Sequence, residues 1–330
     1  MDHNLIRGAK VIINDWMNIT DKSRLLIVTT DEHLFEAQTL EECALALGAK
    51  VEIMKMEKAG MQVGVYFDEN ENVFDDFDSI IGACEYSLVT TRAAKKAISL
   101  GHHFLSLPLS TNNGKSMLSY DFITMDTSVS RRKAMAIMKA IENAKKIRVK
   151  TELGTDITFG MEGRKPGFFN GNVYDGNGYS SASMEVYIPI VETMTNGKLI
   201  LDGSYGYIGR VLNPFEIIFK DGRIVYIEKC DAGKKLDDYI ALYNDPEMYV
   251  AAEFGIGVNS KSRCCGDCYI EDESSYRTFH IGFGRNLALG GIHEASGHYD
   301  LVTLRPDIYF DDVMIMEKGQ IIIPGFNAFE

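Results

Sequence analysis

Near residue 147 the hydrophobic pattern of this 330-residue chain changes period, and that change constrains the fold more than any single motif. Before it, short apolar runs alternate with helical patterns. Leu25-Leu26-Ile27-Val28 reads as a buried strand and Asp31 as the cap of a helix whose Leu40, Cys43, Ala44 and Leu47 share one face. Gly48 ends that helix, and Val51 to Met54 forms the next strand. The unit recurs as a Ser87-Leu88-Val89-Thr90 strand, a helix over Arg92 to Leu100 stopped by Gly101, and a Phe104-Leu105-Ser106-Leu107 strand. Such units pack as a parallel sheet with helices on its faces, because a parallel connection needs a crossover long enough to hold a helix. A longer helical pattern over Arg131 to Lys146 buries Ala134, Ile137, Met138 and Ile141 and leads into the second half.

From Ile147 onward strands, glycines and turns take over. Asp221-Gly222 lies between Ile217-Ile218-Phe219 and Ile224-Val225-Tyr226, a hairpin signal, since both turn residues tolerate positive φ. Asn196-Gly197 plays the same part before Leu199-Ile200-Leu201. Residues 153–180, rich in Gly and Asn, read as a long ordered loop, and a helix spans Lys234 to Tyr243. The expectation is an α/β chain in two parts. Residues 1–146 form an N-terminal, doubly wound, three-layer parallel-sheet domain; residues 147–330 form a C-terminal mixed, mostly antiparallel, β-rich α+β domain that carries the metal site.

Charge narrows the partners. The 34 basic and 47 acidic residues leave a net charge of −13, with no basic patch to meet a duplex or an anionic membrane surface. No run reaches the roughly 18 apolar residues of a membrane helix. Met1-Asp2-His3-Asn4 lacks the basic-then-apolar pattern of an export signal, so the expected compartment is the cytoplasm. Of the cysteines, Cys43, Cys84 and Cys230 lie far apart, as reduced thiols do. Cys264, Cys265 and Cys268 cluster, but no second pair completes a zinc site, so the run reads as a reduced loop or a fortuitous redox pair. The turn Thr29-Thr30-Asp31-Glu32 has two acids and no glycine, which argues against a dinucleotide site.

The histidines carry the chemistry. Three of only seven, His280, His293 and His298, fall within nineteen positions. On a strand, residues two apart share a face, so His298 and Asp300 present an imidazole and a carboxylate together. His280 opens His280-Ile281-Gly282-Phe283-Gly284, whose small residues let another chain approach. Two imidazoles and a carboxylate make a divalent-metal set, although spacing alone equally allows histidines satisfied by hydrogen bonds. Glu185 and Glu253 are lone carboxylates in apolar strand-like runs. Each needs a cation if buried, and otherwise fits a solvent-facing position or an ion pair. Glu271-Asp272-Glu273 reads as a solvated acidic turn. His102-His103 opens a strand at a sheet end, where ligands can collect, although a structural role fits it better.

Several of these runs, in one order, resemble the thermophilic aminopeptidase family (aminopeptidase T and its leucyl-aminopeptidase-like relatives). They are Gly154-Thr155-Asp156-Ile157-Thr158-Phe159, Met184-Glu185-Val186-Tyr187-Ile188-Pro189, Ala252-Glu253-Phe254-Gly255-Ile256-Gly257-Val258-Asn259, His280-Ile281-Gly282-Phe283-Gly284, Gly290-Gly291 and His298-Tyr299-Asp300. The resemblance covers residues 147–330. It implies a metal-dependent hydrolase that removes N-terminal residues from short peptides. It further implies a pair of divalent cations (Zn, Co or Mn) held by Glu185, Glu253, His280, His298 and Asp300, with Glu185 and Glu253 in the catalytic role, in a homodimer. Bridging carboxylates and a metal-activated water suit that chemistry. One position departs from the family: the tyrosine seven residues after the first histidine is Leu287 here, and neither Tyr276 nor Tyr299 takes its place.

The same sequence also resembles ring-cleaving dioxygenases of dihydroxypyridine, which share that fold. This alternative implies a single Fe(II) on His280, His298 and Asp300, with Glu185 a substrate-contacting acid or base, acting on a small hydroxylated aromatic. The length of the chain and Leu287 suit it; the retained Glu253 motif suits the hydrolase.

Overall fold

The computed structural model describes residues 2–57, 60–176 and 178–326. The strands are β1 (Arg24–Thr30), β2 (Lys50–Met56), β3 (Ser79–Ala83), β4 (His103–Ser106), β5 (Lys146–Lys150) and β6 (Asp156–Gly160). Next come β7 (Gly167–Phe169), β8 (Tyr179–Ser181), β9 (Glu185–Pro189), β10 (Asn196–Leu201), β11 (Phe215–Lys220) and β12 (Arg223–Ile227). The last six are β13 (Ala251–Gly257), β14 (Thr278–Gly284), β15 (His298–Leu304), β16 (Asp307–Phe310), β17 (Val313–Glu317) and β18 (Gln320–Ile321). The α-helices are α1 (His3–Val11), α2 (Leu34–Leu45), α3 (Val63–Glu69), α4 (Arg92–Ser99), α5 (Thr127–Ile141), α6 (Asp231–Ala241) and α7 (Tyr269–Ser274). The chain is the α/β type expected, with one parallel and two antiparallel sheets among the described residues.

It divides into two units, residues 1–127 with 169–183, and residues 128–168 with 184–330. The first unit holds the parallel sheet, in the order β2-β1-β3-β4-β8. Leu26, Val28, Ile80 and Phe104 share one core with Val63 and Phe67 of α3 and Ala93, Ala94 and Ala97 of α4. Leu25, Ile27 and Ile81, one residue out of phase, are also fully buried, so the strands are apolar on both faces, as strands covered by helices on each side must be. The last strand arrives late in the chain: β8 pairs with β4, and Val173 donates its N–H to the carbonyl of buried Trp16.

Several local expectations need correction. Ser87–Thr90 is no strand; Leu88 and Val89 enter the core from a turn, the strand is Ser79–Ala83, and Thr91 caps α4 through its hydroxyl. Asp31 opens a single 3-10 turn ahead of α2. The helix placed at Arg131–Lys146 runs over Thr127–Ile141, with Met138 half-buried, and the one at Lys234–Tyr243 runs over Asp231–Ala241. The loop placed at 153–180 contains β6, β7 and β8. Asn196-Gly197 begins β10 and is not a turn, whereas Asp221 and Gly222 do form the β11–β12 hairpin with φ of 48° and 86°.

The second unit is built on two antiparallel sheets, β12-β11-β10-β6-β5-β16-β17-β18 and β15-β14-β13-β9-β7. They meet through aromatics: Phe254 of β13 lies 5.3 Å from Phe159 of β6 and 6.2 Å from Phe310 of β16, and Phe283 of β14 lies 5.9 Å from Phe219 of β11. Side chains alternate across a strand, so Phe254, Ile256, Phe279, Ile281 and Phe283 turn one face of the smaller sheet to the core. Residues 253, 255, 257, 280, 282 and 284 are thereby turned to the other. Among the described residues no helix is long and apolar enough to cross a membrane.

Candidate metal centre

The outward face of the smaller sheet carries a regular arrangement. Glu185 on β9 stands in register opposite Gly257, His280 on β14 opposite Gly255, and Glu253 on β13 opposite Gly282. Asp300 on β15 also stands opposite Gly282, and His298 opposite Gly284. Each candidate residue therefore faces a glycine on a neighbouring strand, and the missing side chains leave room for the functional groups to lean together. An ideal Cβ at Gly255 would lie 1.8 Å from His280 Nε2. One at Gly282 would lie 2.7 Å from both Asp300 Oδ1 and His298 Cε1 and 2.8 Å from the Glu253 Cβ. The small residues noted in sequence make room for these side chains. We expect Gly255→Ala to cost about 1–3 kcal/mol from overpacking a buried strand, read as a lower midpoint in urea with an unchanged slope.

The five residues converge. Glu185 Oε2 lies 2.6 Å from His280 Nε2, which is 3.9 Å from Glu253 Oε1; Glu253 Oε2 lies 3.0 Å from His298 Nε2, which is 3.3 Å from Asp300 Oδ1. They fall into two groups able to hold a cation, Glu185–Glu253–His280 and Glu253–His298–Asp300, with Glu253 common to both. All but His298 are buried; its side chain, 24% exposed, marks the open side. His293, the third clustered histidine, turns away and holds the Glu247 carbonyl at 3.0 Å.

The donor set fits a divalent cation. His298 Nδ1 lies 3.0 Å from the Arg285 carbonyl, which can only accept, so the proton sits on Nδ1 and Nε2 is left as the ligand atom. That lone pair points between the oxygens of Glu253 and Asp300, an arrangement that repels unless a proton or a metal lies among them. Asp300 Oδ1 and His280 Nδ1 are buried with no hydrogen-bond donor or acceptor assigned to them among the described residues. In the metal-free protein, protons compensate. Burial alone would discharge both histidines, but Glu185 beside His280, and Asp300 and Glu253 beside His298, hold them well above the usual imidazole range. Burial likewise works against an ionised Asp300, yet the two imidazoles and the Tyr269 hydroxyl bring it down to about 2. The loop that supplies the Arg285 carbonyl is itself pinned: Asn286 donates to Glu192 Oε1 and to the Ala252 carbonyl, each at 2.9 Å, and Arg164 pairs with Glu192 at 2.5 Å.

Two neighbours escaped the sequence reading. The Glu271-Asp272-Glu273 run is not a solvated turn; it lies buried in α7, which packs against β13, β14 and β15. Asp272 Oδ1 accepts the Cys265 and Gly266 N–H groups, and the Ser274 hydroxyl accepts the Met184 N–H, which ties α7 to the residue before Glu185. Burial, with Glu185 and Asp300 nearby, pushes Glu273 well above the carboxylate range. Tyr269 donates its hydroxyl to Asp300 Oδ2. Nothing in the local pattern marks either residue, since their burial is decided by non-local packing. Of the cysteine cluster, Cys265 is exposed and Cys268 buried, with burial pushing the Cys268 thiol well up.

The stretch 123–323, which contains all these residues, matches the family described as 2,5-dihydroxypyridine 5,6-dioxygenase (NicX). The chain belongs to that family. A curated relative, the 2,5-dihydroxypyridine 5,6-dioxygenase of Pseudomonas putida, is 24% identical over 219 residues, and the match spans 61% of each protein. The solved structure of 2,5-dihydroxypyridine dioxygenase from Pseudomonas putida covers 99% of both chains with a TM-score of 0.80 at 16% identity. Wild-type AmpT from Thermus thermophilus covers 97% of this chain and 99% of its own, with a TM-score of 0.68 at 14% identity. Both share the fold.

Membership in the dioxygenase family overturns the hydrolase expectation: the terms hydrolase, aminopeptidase and metalloprotease do not describe this chain. The physical reason lies in what the shared motifs encode. Glu-x-Gly-x-Gly, His-x-Gly-x-Gly and His-x-Asp describe an acidic, imidazole-bearing sheet face with room above its glycines. That describes a sheet face, and one fold can carry more than one chemistry on such a face. Leu287, which the sequence reading set against the aminopeptidase resemblance, lies in a single 3-10 turn (Leu287–Leu289) with no buried side chain.

Proposed function

We propose that this protein is an Fe(II)-dependent dioxygenase that opens the ring of a dihydroxypyridine-type aromatic, with Glu253, His298 and Asp300 as the metal-holding group. The observation that carries the proposal is that group itself, on one sheet face within the stretch that defines the family. When bound, the iron supplies open positions for a ring hydroxylate and for oxygen, and a route for electrons between them. The chain's own residues do the rest. The Arg285 carbonyl holds one His298 proton on Nδ1 and aims Nε2 inward, where a bound cation would take the place of the second proton. The Glu185–His280 pair, on the far side of Glu253, shares a proton between Oε2 and Nε2 in the metal-free protein; with a cation bound in place of that proton, the pair would be suited to take the one a ring hydroxyl gives up. Burial of Glu185, Glu253 and Asp300 keeps bulk water from the reacting ring. The overall change balances without an external reductant: one ring carbon–carbon bond breaks and both atoms of O2 enter the product.

Protein loaded with Fe(II) without air and then mixed with aerated 2,5-dihydroxypyridine is expected to consume one O2 per ring opened. The same protein carrying Zn(II), which has no redox chemistry, is expected to consume none. Absence of oxygen uptake with Fe(II), across 2,5-dihydroxypyridine and its hydroxylated analogues, overturns the proposal.

A further inference from the structure

We infer that Tyr269 is a positioning residue that holds Asp300 as a one-oxygen metal ligand, resting on the placement of the metal at Glu253–His298–Asp300. Asp300 has two oxygens with different surroundings. Oδ2 accepts the Tyr269 hydroxyl. Among the described residues Oδ1 has no partner but His298 Nε2, 3.3 Å away, and it borders the space over Gly282. A carboxylate free at both oxygens can turn and chelate a cation with the pair, taking up one of the positions that substrate and oxygen need. With Oδ2 engaged, only Oδ1 remains for the metal.

The fold holds the tyrosine firmly enough to do this. The Tyr269 ring lies parallel to that of Tyr207, with centroids 4.5 Å apart and planes 10° apart. Gly206, at φ 57°, leaves space that a Cβ would take from Tyr269 and Tyr299, meeting their ring carbons at 2.9 and 2.8 Å. The residue opens α7, whose other end is fixed to Met184 through Ser274. Phenol, ring platform and helix therefore aim one hydrogen bond at one oxygen.

The test is Tyr269→Phe, which keeps the ring and its stacking and removes only the hydroxyl. Affinity for Co(II), measured by competition with a chromophoric chelator, is expected to fall about 10–100-fold, the usual effect of losing an outer partner of a metal ligand. The visible spectrum of the Co(II) protein is expected to change as Asp300 becomes free to bind through both oxygens. Tyr299→Phe is the control, because its hydroxyl donates to the Tyr205 carbonyl and to no ligand; its affinity and spectrum should match wild type. The Asp300→Asn background supplies a second measurement. There the tyrosine hydroxyl captures the amide oxygen and turns the NH2 group towards the metal, so removing that hydroxyl should no longer weaken binding. Unchanged Co(II) affinity and spectrum in Tyr269→Phe, or an equal loss in both backgrounds, overturns the inference. Neither readout depends on oxygen uptake, so failure here is distinguishable from failure of the dioxygenase reading.

Discussion

His298→Ala is expected to remove metal-dependent oxygen uptake altogether while leaving the apo fold intact. The side chain supplies the ligand atom on the open side of the group and is the only one of the five not fully enclosed, so its loss leaves no packed core cavity behind. The decrease in activity should exceed the roughly 10–100-fold that follows loss of an outer partner, because a direct ligand disappears. Thermal melting gives a second measure. Wild-type protein with metal at a hundred times its Kd should gain about 2.7 kcal/mol of stability over the chelated form, and the variant should gain almost none. A variant that still loads one metal per chain and turns over would place the metal on the Glu185–Glu253–His280 group instead.

The second large effect is expected from a residue with no functional group. Gly282→Ala adds one methyl at the floor of the centre, within 2.7 Å of Asp300 Oδ1 and His298 Cε1. All five candidate ligands remain, yet the methyl has to push two of them aside. Misplacement of about 1 Å in a reacting geometry costs on the order of 100-fold. Turnover should therefore fall by at least that much, with a parallel loss of metal per chain by elemental analysis. If Gly282→Ala loads Fe(II) and works as wild type does, the cation does not lie over β14 between Glu253 and Asp300.

These two variants also mark what the sequence makes legible. Period-two runs such as His298-Tyr299-Asp300 and His280-Ile281-Gly282 show which side chains share a face, because strand geometry is local. The Asp221-Gly222 hairpin is readable for the same reason: its turn chemistry lies in two adjacent residues. Tyr269 and Glu273 are not readable. Their burial depends on α7 lying against three strands and on Asp272 capturing the Cys265 and Gly266 amides, contacts that no window around the acidic run contains. Ser87–Thr90 and Ser79–Ala83 are both short runs before α4, and only pairing with β1 and β4 distinguishes strand from turn. The reaction was the least legible level. Motifs that describe a glycine-lined, acidic sheet face do not by themselves choose between the two chemistries the sequence resembles; the family match does.

The late return of β8 to the parallel sheet bears on how the protein can be divided. A gene fragment ending at residue 146, where the hydrophobic pattern changes, would omit 169–183 and so leave the β4 backbone amides and carbonyls without their neighbour. It would also uncover Trp16, whose indole lies against Gly171. An unpaired strand edge beside an unroofed tryptophan is a template for aggregation. Soluble expression of the first unit therefore calls for a design that splices residues 169–183 back onto 1–127.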